Sequence, residues 1–167
     1  MSGIINSAGS KSGIIRDGQD IYAHLKAADD AGAATSASPV EVSWDSQTGD
    51  TTNITRSGVN ITLVKSGVYH LTCVWVISQQ GGEERRYMFG EIKSVSGTHS
   101  TNELCFAGDS IVNAAYNPDY CGLTASGIFE FTGGDVIKAQ YYGSDDIPYS
   151  EDAVGYATRM TIVRVFT

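Results

Sequence analysis

The chain has 167 residues, 41% of them hydrophobic, with 19 glycines, 3 prolines and 18% charged residues, a charge content below the usual share of about 25%. A chain of this length favours one domain and can bury roughly 70% of the surface its unfolded form exposes. The net charge of −8 argues against sequence-independent binding to DNA or RNA, which needs Lys and Arg against phosphates, and no apolar run approaches the ~20 residues that span a membrane as a helix.

Residues 1–19 stand apart from the rest. They open without a charged start followed by an apolar block, so synthesis and folding in a cytoplasm are expected. Ser2-Gly3-Ile4-Ile5-Asn6 recurs ten positions later as Ser12-Gly13-Ile14-Ile15-Arg16, with small residues between. The pairs Ile4, Ile5 and Ile14, Ile15 suit an extended docking arm, because four isoleucines left in water would be a liability; a disordered tail or an edge strand on the same chain are the other readings. Residues 20–38 read as a linker. Ile21, Tyr22, Leu25 and Ala28 recur at helical spacing behind Asp20 as a candidate N-cap, so the pattern allows a short helix or an irregular extended stretch. A compact domain is expected over residues 39–167.

Within it the signals are those of strands. Val40 to Trp44 alternates, residues 45–50 are turn material, and short strands are expected over 51–55 and 59–64. The longest β run, Val68 to Ile77, carries Tyr69, Leu71, Cys73, Trp75 and Ile77 on one face. The other face, Val68, His70, Thr72, Val74 and Val76, is half apolar, which predicts a central strand covered on both sides. Further strands are expected over 86–95 and over 103–113, the latter broken at Gly108-Asp109, with loops over 96–102 and 114–122. From Ser126 to Tyr142 two alternating runs flank Gly133-Gly134-Asp135, which reads as a hairpin. After an acidic loop over 143–155, a last strand over 156–166 ends the chain. Eight to ten short strands and no helix within the domain predict an all-β, antiparallel sandwich or jelly roll.

Three stretches in order then resemble the jelly-roll module shared by the complement C1q head and the tumour necrosis factor (TNF) family. Ser66-Gly67-Val68-Tyr69-His70-Leu71 is similar to that family's Gly-x-Tyr-x-Phe signature, with Leu71 in place of the aromatic. Gly127 to Asp135 resembles its Gly-x-x-x-Leu-x-x-Gly-Asp stretch, and Ala139-Gln140-Tyr141-Tyr142-Gly143 the segment after it. The end departs: Thr158 to Ile162 lacks the aromatic-Gly-aromatic close of the secreted animal members. The resemblance implies a C1q/TNF-like jelly roll that assembles as a homotrimer. An independent consideration agrees, since a strand apolar on both faces needs two covers and one sandwich supplies only one. The residues expected near the threefold axis are His70, Val74, Ile128 and Tyr142; the alternative is a monomer covered by its own arm. Asn6 to Ile15 is in turn similar to an Asn-x-Ala-Gly-Ser-Lys-Ser-Gly-Val-Ile stretch of bacteriophage structural proteins.

Catalytic frames are absent from the sequence: there is no Gly-x-Ser-x-Gly, His-Glu-x-x-His or phosphate loop. No enzyme activity and no cofactor are expected. Asp145, Asp146, Glu151 and Asp152 offer loop oxygens for Ca²⁺, against the plainer reading of a solvated acidic loop. Three cysteines make a full disulfide framework unexpected; Cys105 and Cys121 could approach each other, though free thiols are expected in a cytoplasm. Tyr116, Tyr120 and Tyr149 present flat apolar area with a polar tip, suited to a host surface glycan or protein, or they pack back on the domain or a neighbouring subunit.

These readings lead to a non-enzymatic trimeric virion protein, folded in a host cytoplasm and docked by its arm on other virion proteins of the capsid or an appendage. No heptads, Gly-x-y repeat or β-helix repeat supply a shaft, so a capsid decoration or cement trimer fits. The receptor-binding head of a tail fibre or appendage is the alternative, and a secreted C1q-like recognition module is the third reading.

Overall fold

Alternation of apolar and polar side chains builds two sheets that face each other across one core. The computed structural model of the protein describes residues 21–27, 33–34, 39–78, 86–99, 103–111, 120–143, 147–148 and 157–166. Its strands are β1 (Tyr22–Ala27), β2 (Ala33–Ala34), β3 (Val40–Glu41), β4 (Trp44–Gly49), β5 (Ile54–Ser57), β6 (Asn60–Leu63), β7 (Gly67–Ser78), β8 (Arg86–Ser96), β9 (Glu103–Ile111), β10 (Tyr120–Phe131), β11 (Asp135–Gly143), β12 (Ile147–Pro148) and β13 (Arg159–Phe166). A five-stranded sheet has the order β10-β7-β13-β1-β4, and a six-strand counterpart built on β5-β6-β11-β8-β9 carries β3 against β11. Every pairing is antiparallel, and no helix occurs among the described residues.

Strand β7 sits between β10 and β13. Tyr69, Leu71, Cys73 and Trp75 are fully buried on its inner side. Ile54, Ile61, Leu63, Ile92, Ile137, Ala139 and Tyr141 meet them from the six-stranded sheet. Trp75 lies flat against Gly90 of β8, where an added Cβ would stand 2.5 Å from the indole ring. Glycine is therefore what lets the two sheets close over the largest core side chain. Tyr69, the tyrosine of the Gly-x-Tyr signature, donates its hydroxyl to the Lys65 carbonyl at 2.7 Å and meets Phe131 edge-on at 6.0 Å.

The stretch Ser126–Tyr142 is not a hairpin. Its two runs, β10 and β11, pair in different sheets: β10 along its full length with β7, and β11 with β8, β6 and β3. Between them the chain crosses the end of the sandwich. Gly134 has φ 97°, a conformation that glycine adopts without steric cost. Its amide bonds the Leu63 carbonyl at 2.7 Å, and the Asp135 amide closes on Thr132 at 3.0 Å. Asp135, 4% exposed, then accepts from the backbone amides of Thr132 (3.0 Å) and Thr98 (3.1 Å) through Oδ2. Phe129 and Phe131 therefore look across the core at the β11 side rather than along a shared sheet.

Three further segments differ from the sequence reading. Residues 22–27 form the regular strand β1, neither the short helix nor the irregular extended stretch that the pattern allowed, with Ala23, Leu25 and Ala27 buried and the strand clasped between β13 and β4; pairing on both sides outweighs the helical preference of Ala, Leu and Lys. Residues 44–49 form edge strand β4 instead of a turn, polar because only Trp44 reaches the core. Strand β9 runs through Gly108-Asp109 without a break, paired with β8 from Glu103 to Ile111.

Candidate assembly face

The outward face of the five-stranded sheet is ordered in rows set by strand register. One row reads Ile128, His70, Val163, Tyr22 across β10, β7, β13 and β1. The next reads Ser126, Thr72, Thr161, His24, and the third Thr124, Val74, Arg159, Lys26. Glu130, Val68 and Phe166 line up on the other side of the first row. The first row is apolar apart from its histidine and open to solvent except at half-buried Val163: Ile128 is 64% exposed and Tyr22 42%, with Phe166 beside them at 61%.

A polar network holds the middle of this face. Ser126 Oγ donates to the Leu71 carbonyl at 3.1 Å, which uses its one proton. It therefore accepts from His70 Nε2 at 2.7 Å and from Thr72 Oγ1 at 2.9 Å, which places the proton of neutral His70 on Nε2. Two strands away His24 Nδ1 bonds Thr161 Oγ1 at 2.9 Å and meets the Tyr22 ring edge-on at 5.9 Å.

Three of the four residues expected at a threefold axis, His70, Val74 and Ile128, share this face. Tyr142 does not. It lies on the outward side of β11 in the opposite sheet, stacked on Phe89 at 5.3 Å, and Phe89 stacks on Phe106 at 5.7 Å. The tyrosine follows Tyr141, which is fully buried, and neighbours on a strand point to opposite sides; once β11 is assigned to the second sheet, Tyr142 must face away from the first. Burial raises the pKa of its hydroxyl, with the carboxylates of Glu91 and Glu103 adding to the shift. Glu91, opposite Gln140 in the register and hydrogen-bonded to it, has its own carboxyl pushed up, chiefly by burial.

Sequence reading missed Tyr22, His24, Ser126 and Val163 on this outward face. The signal for the first two was present in the alternation Ile21, Ala23, Leu25, Ala27, which competes with the helical spacing of the same stretch. The arm residues Ile4, Ile5, Ile14 and Ile15, the loop tyrosines Tyr116 and Tyr149, and the calcium candidates Asp145, Asp146, Glu151 and Asp152 lie outside the described residues. Tyr120 starts β10 opposite Ser78. Among the described residues no group of three or more His, Cys, Asp or Glu could hold a metal ion. Cys73 and Cys105 are free thiols, and burial raises both pKa values, that of Cys105 to about 11. Cys121 lies opposite Ile77 on β10.

The sequence matches no family model and no curated protein. The structure is similar to two crystal structures of murine APRIL, at pH 5.0 (TM-score 0.61) and pH 8.0 (TM-score 0.59), each at 15% identity over 87% of this chain and 99% of that one. The chain has a TNF-like jelly-roll fold. At this identity the likeness concerns the fold: two antiparallel sheets in one sandwich.

Proposed function

We propose that the chain is a non-enzymatic homotrimeric knob, assembled through the outward face of the five-stranded sheet and docked by residues 1–19 on a bacteriophage particle as a capsid decoration. The observation that carries the trimer is the row Ile128, His70, Val163, Tyr22, exposed except at half-buried Val163, a largely apolar band on a sheet whose other side is already filled. Such a band costs free energy in water and gains it against a copy of itself. The resemblance to C1q and TNF jelly rolls, which implies a homotrimer, supports the same reading. The phage setting is supported by the arm's Asn6 to Ile15 stretch.

Two measurements test this. Removal of residues 1–19 leaves a trimer that no longer co-sediments with particles; unchanged binding refutes the arm's role. Gold-labelled antibody against the jelly roll decorates the shell if the proposal holds. Gold confined to a tail tip overturns decoration in favour of a receptor-binding head, and unlabelled particles overturn the virion setting altogether.

A further inference from the structure

We infer that the assembly face is pH-gated: protonation of His70 and His24 separates the subunits in mild acid while each sandwich stays folded. The inference rests on the trimer proposed above and adds its regulation.

Two of the chain's three histidines sit on this one face, in adjacent rows, on strands β7 and β1 with β13 between them. Their setting defines what a proton does. His70 already donates from Nε2 into the Ser126 network, so it takes up a proton at Nδ1 without breaking that bond. The result is a charged imidazolium inside the row Ile128, Val163, Tyr22, where no carboxylate stands directly opposite. His24 is anchored through Nδ1 to Thr161, and its second nitrogen completes the cation.

The charged groups around the pair do not offset it. From β10 comes Glu130, one row beyond Ile128; from β13 comes Arg159; from β1 come Lys26 and the phenol of Tyr22. Strand β4 presents Ser46 and Thr48 beside Lys26 and His24, with Asp45 exposed at the neighbouring bulge. Lys26 and Arg159 against Glu130 and Asp45 leave the neutral-histidine face balanced. Protonation adds two positive charges per subunit and six per trimer (two histidines in each of three copies). Histidine changes charge between about pH 5 and 8, and burying an imidazole disfavours its charged form. The assembled state therefore binds fewer protons than the separated subunits, so assembly is favoured above that range and lost as pH falls through it.

Multi-angle light scattering of the full chain at pH 8.0 and pH 5.0, with far-UV circular dichroism at both, tests this alongside His24→Gln/His70→Gln. Glutamine keeps a side-chain N–H donor but takes no proton. The expected result is a wild-type trimer at pH 8.0, a folded monomer at pH 5.0, and a double variant that stays trimeric at both. Wild type trimeric at both values overturns the gate and leaves the trimer standing. Wild type monomeric at pH 8.0 overturns the trimer, and the gate with it. Loss of the β spectrum at pH 5.0, or a double variant that still dissociates there, overturns the assignment to these histidines.

Discussion

Ile128 stands directly opposite His70 on the neighbouring strand, 64% exposed, while Leu71, the next residue along β7, is fully buried on the other side of the sheet. In the trimer proposed above, the two faces of one strand separate folding from association. Ile128→Glu should leave the fold and its circular dichroism unchanged and abolish the trimer, because it puts a second carboxylate beside Glu130 in place of apolar area. Burying an isoleucine contributes about 1.5–3 kcal/mol, so each subunit contact should weaken about tenfold to a hundredfold. Light scattering across a concentration series checks this; a variant as trimeric as wild type contradicts it.

Gly90 and Trp75 behave in the opposite way. Glycine to alanine in a strand is ordinarily favourable by a few tenths of a kcal/mol to ~1 kcal/mol. Here the new methyl would meet the indole ring at 2.5 Å, so Gly90→Ala should destabilise by about 1–3 kcal/mol through overpacking. Trp75→Ala should cost about 3–5 kcal/mol by leaving a cavity. Urea midpoints measure both, and a stabilised Gly90→Ala would show that the sheets are less closely apposed at this point.

Asp135 ties the Gly-Asp turn to the loop after β8 through the amides of Thr98 and Thr132. Asp135→Ala leaves two backbone donors without their acceptor, at about 1–3 kcal/mol. Asp135→Asn keeps a carbonyl oxygen there and should recover most of the loss. Amide exchange at Thr98 and Thr132 should quicken in the alanine variant before the core does; unchanged protection at both amides contradicts the role given to the carboxylate.

The two described thiols give a pH dependence with a definite sign. Burial holds the thiol form in the folded state, with the Cys105 pKa at about 11 and Cys73 also well above its ordinary value. An acid whose pKa is raised by folding contributes stability below its unfolded pKa, near 8.5 for cysteine, and loses that contribution as pH rises through the folded value. Stability should thus decline between about pH 8.5 and 11, and Cys73→Ala/Cys105→Ala should flatten that decline. Iodoacetamide at pH 8 should label Cys105 about a hundredfold more slowly than a free model thiol, since the thiolate is the reactive form. Rapid native labelling of Cys73 or Cys105 would contradict their burial.

Alternation is a reliable guide to which side of a strand is buried and a poor guide to which strand it pairs with. Phe129, Phe131, Ile137, Ala139 and Tyr141 all face the core, as their spacing indicates. A hairpin and a chain crossing between sheets nonetheless produce the same pattern around Gly134, and the difference rests on partners far away in sequence, β7 and β8. The same ambiguity placed Tyr142 with His70. At β1 the buried face is Ala23, Leu25 and Ala27; two of the three are small, so the stretch allowed a short helix as well as an extended course, and lateral pairing makes it a strand. The candidate assembly face was legible only in part. Val68, Val74 and Val76 on the outer side of β7 signalled a second cover, whereas Tyr22 and His24 join them only through the register of β13.

The proposed trimer stands or falls on self-association through that face. Sedimentation equilibrium of the full chain at pH 8.0 should return a single species of three times 17.8 kDa. A mass of 17.8 kDa that persists as concentration is raised would contradict it.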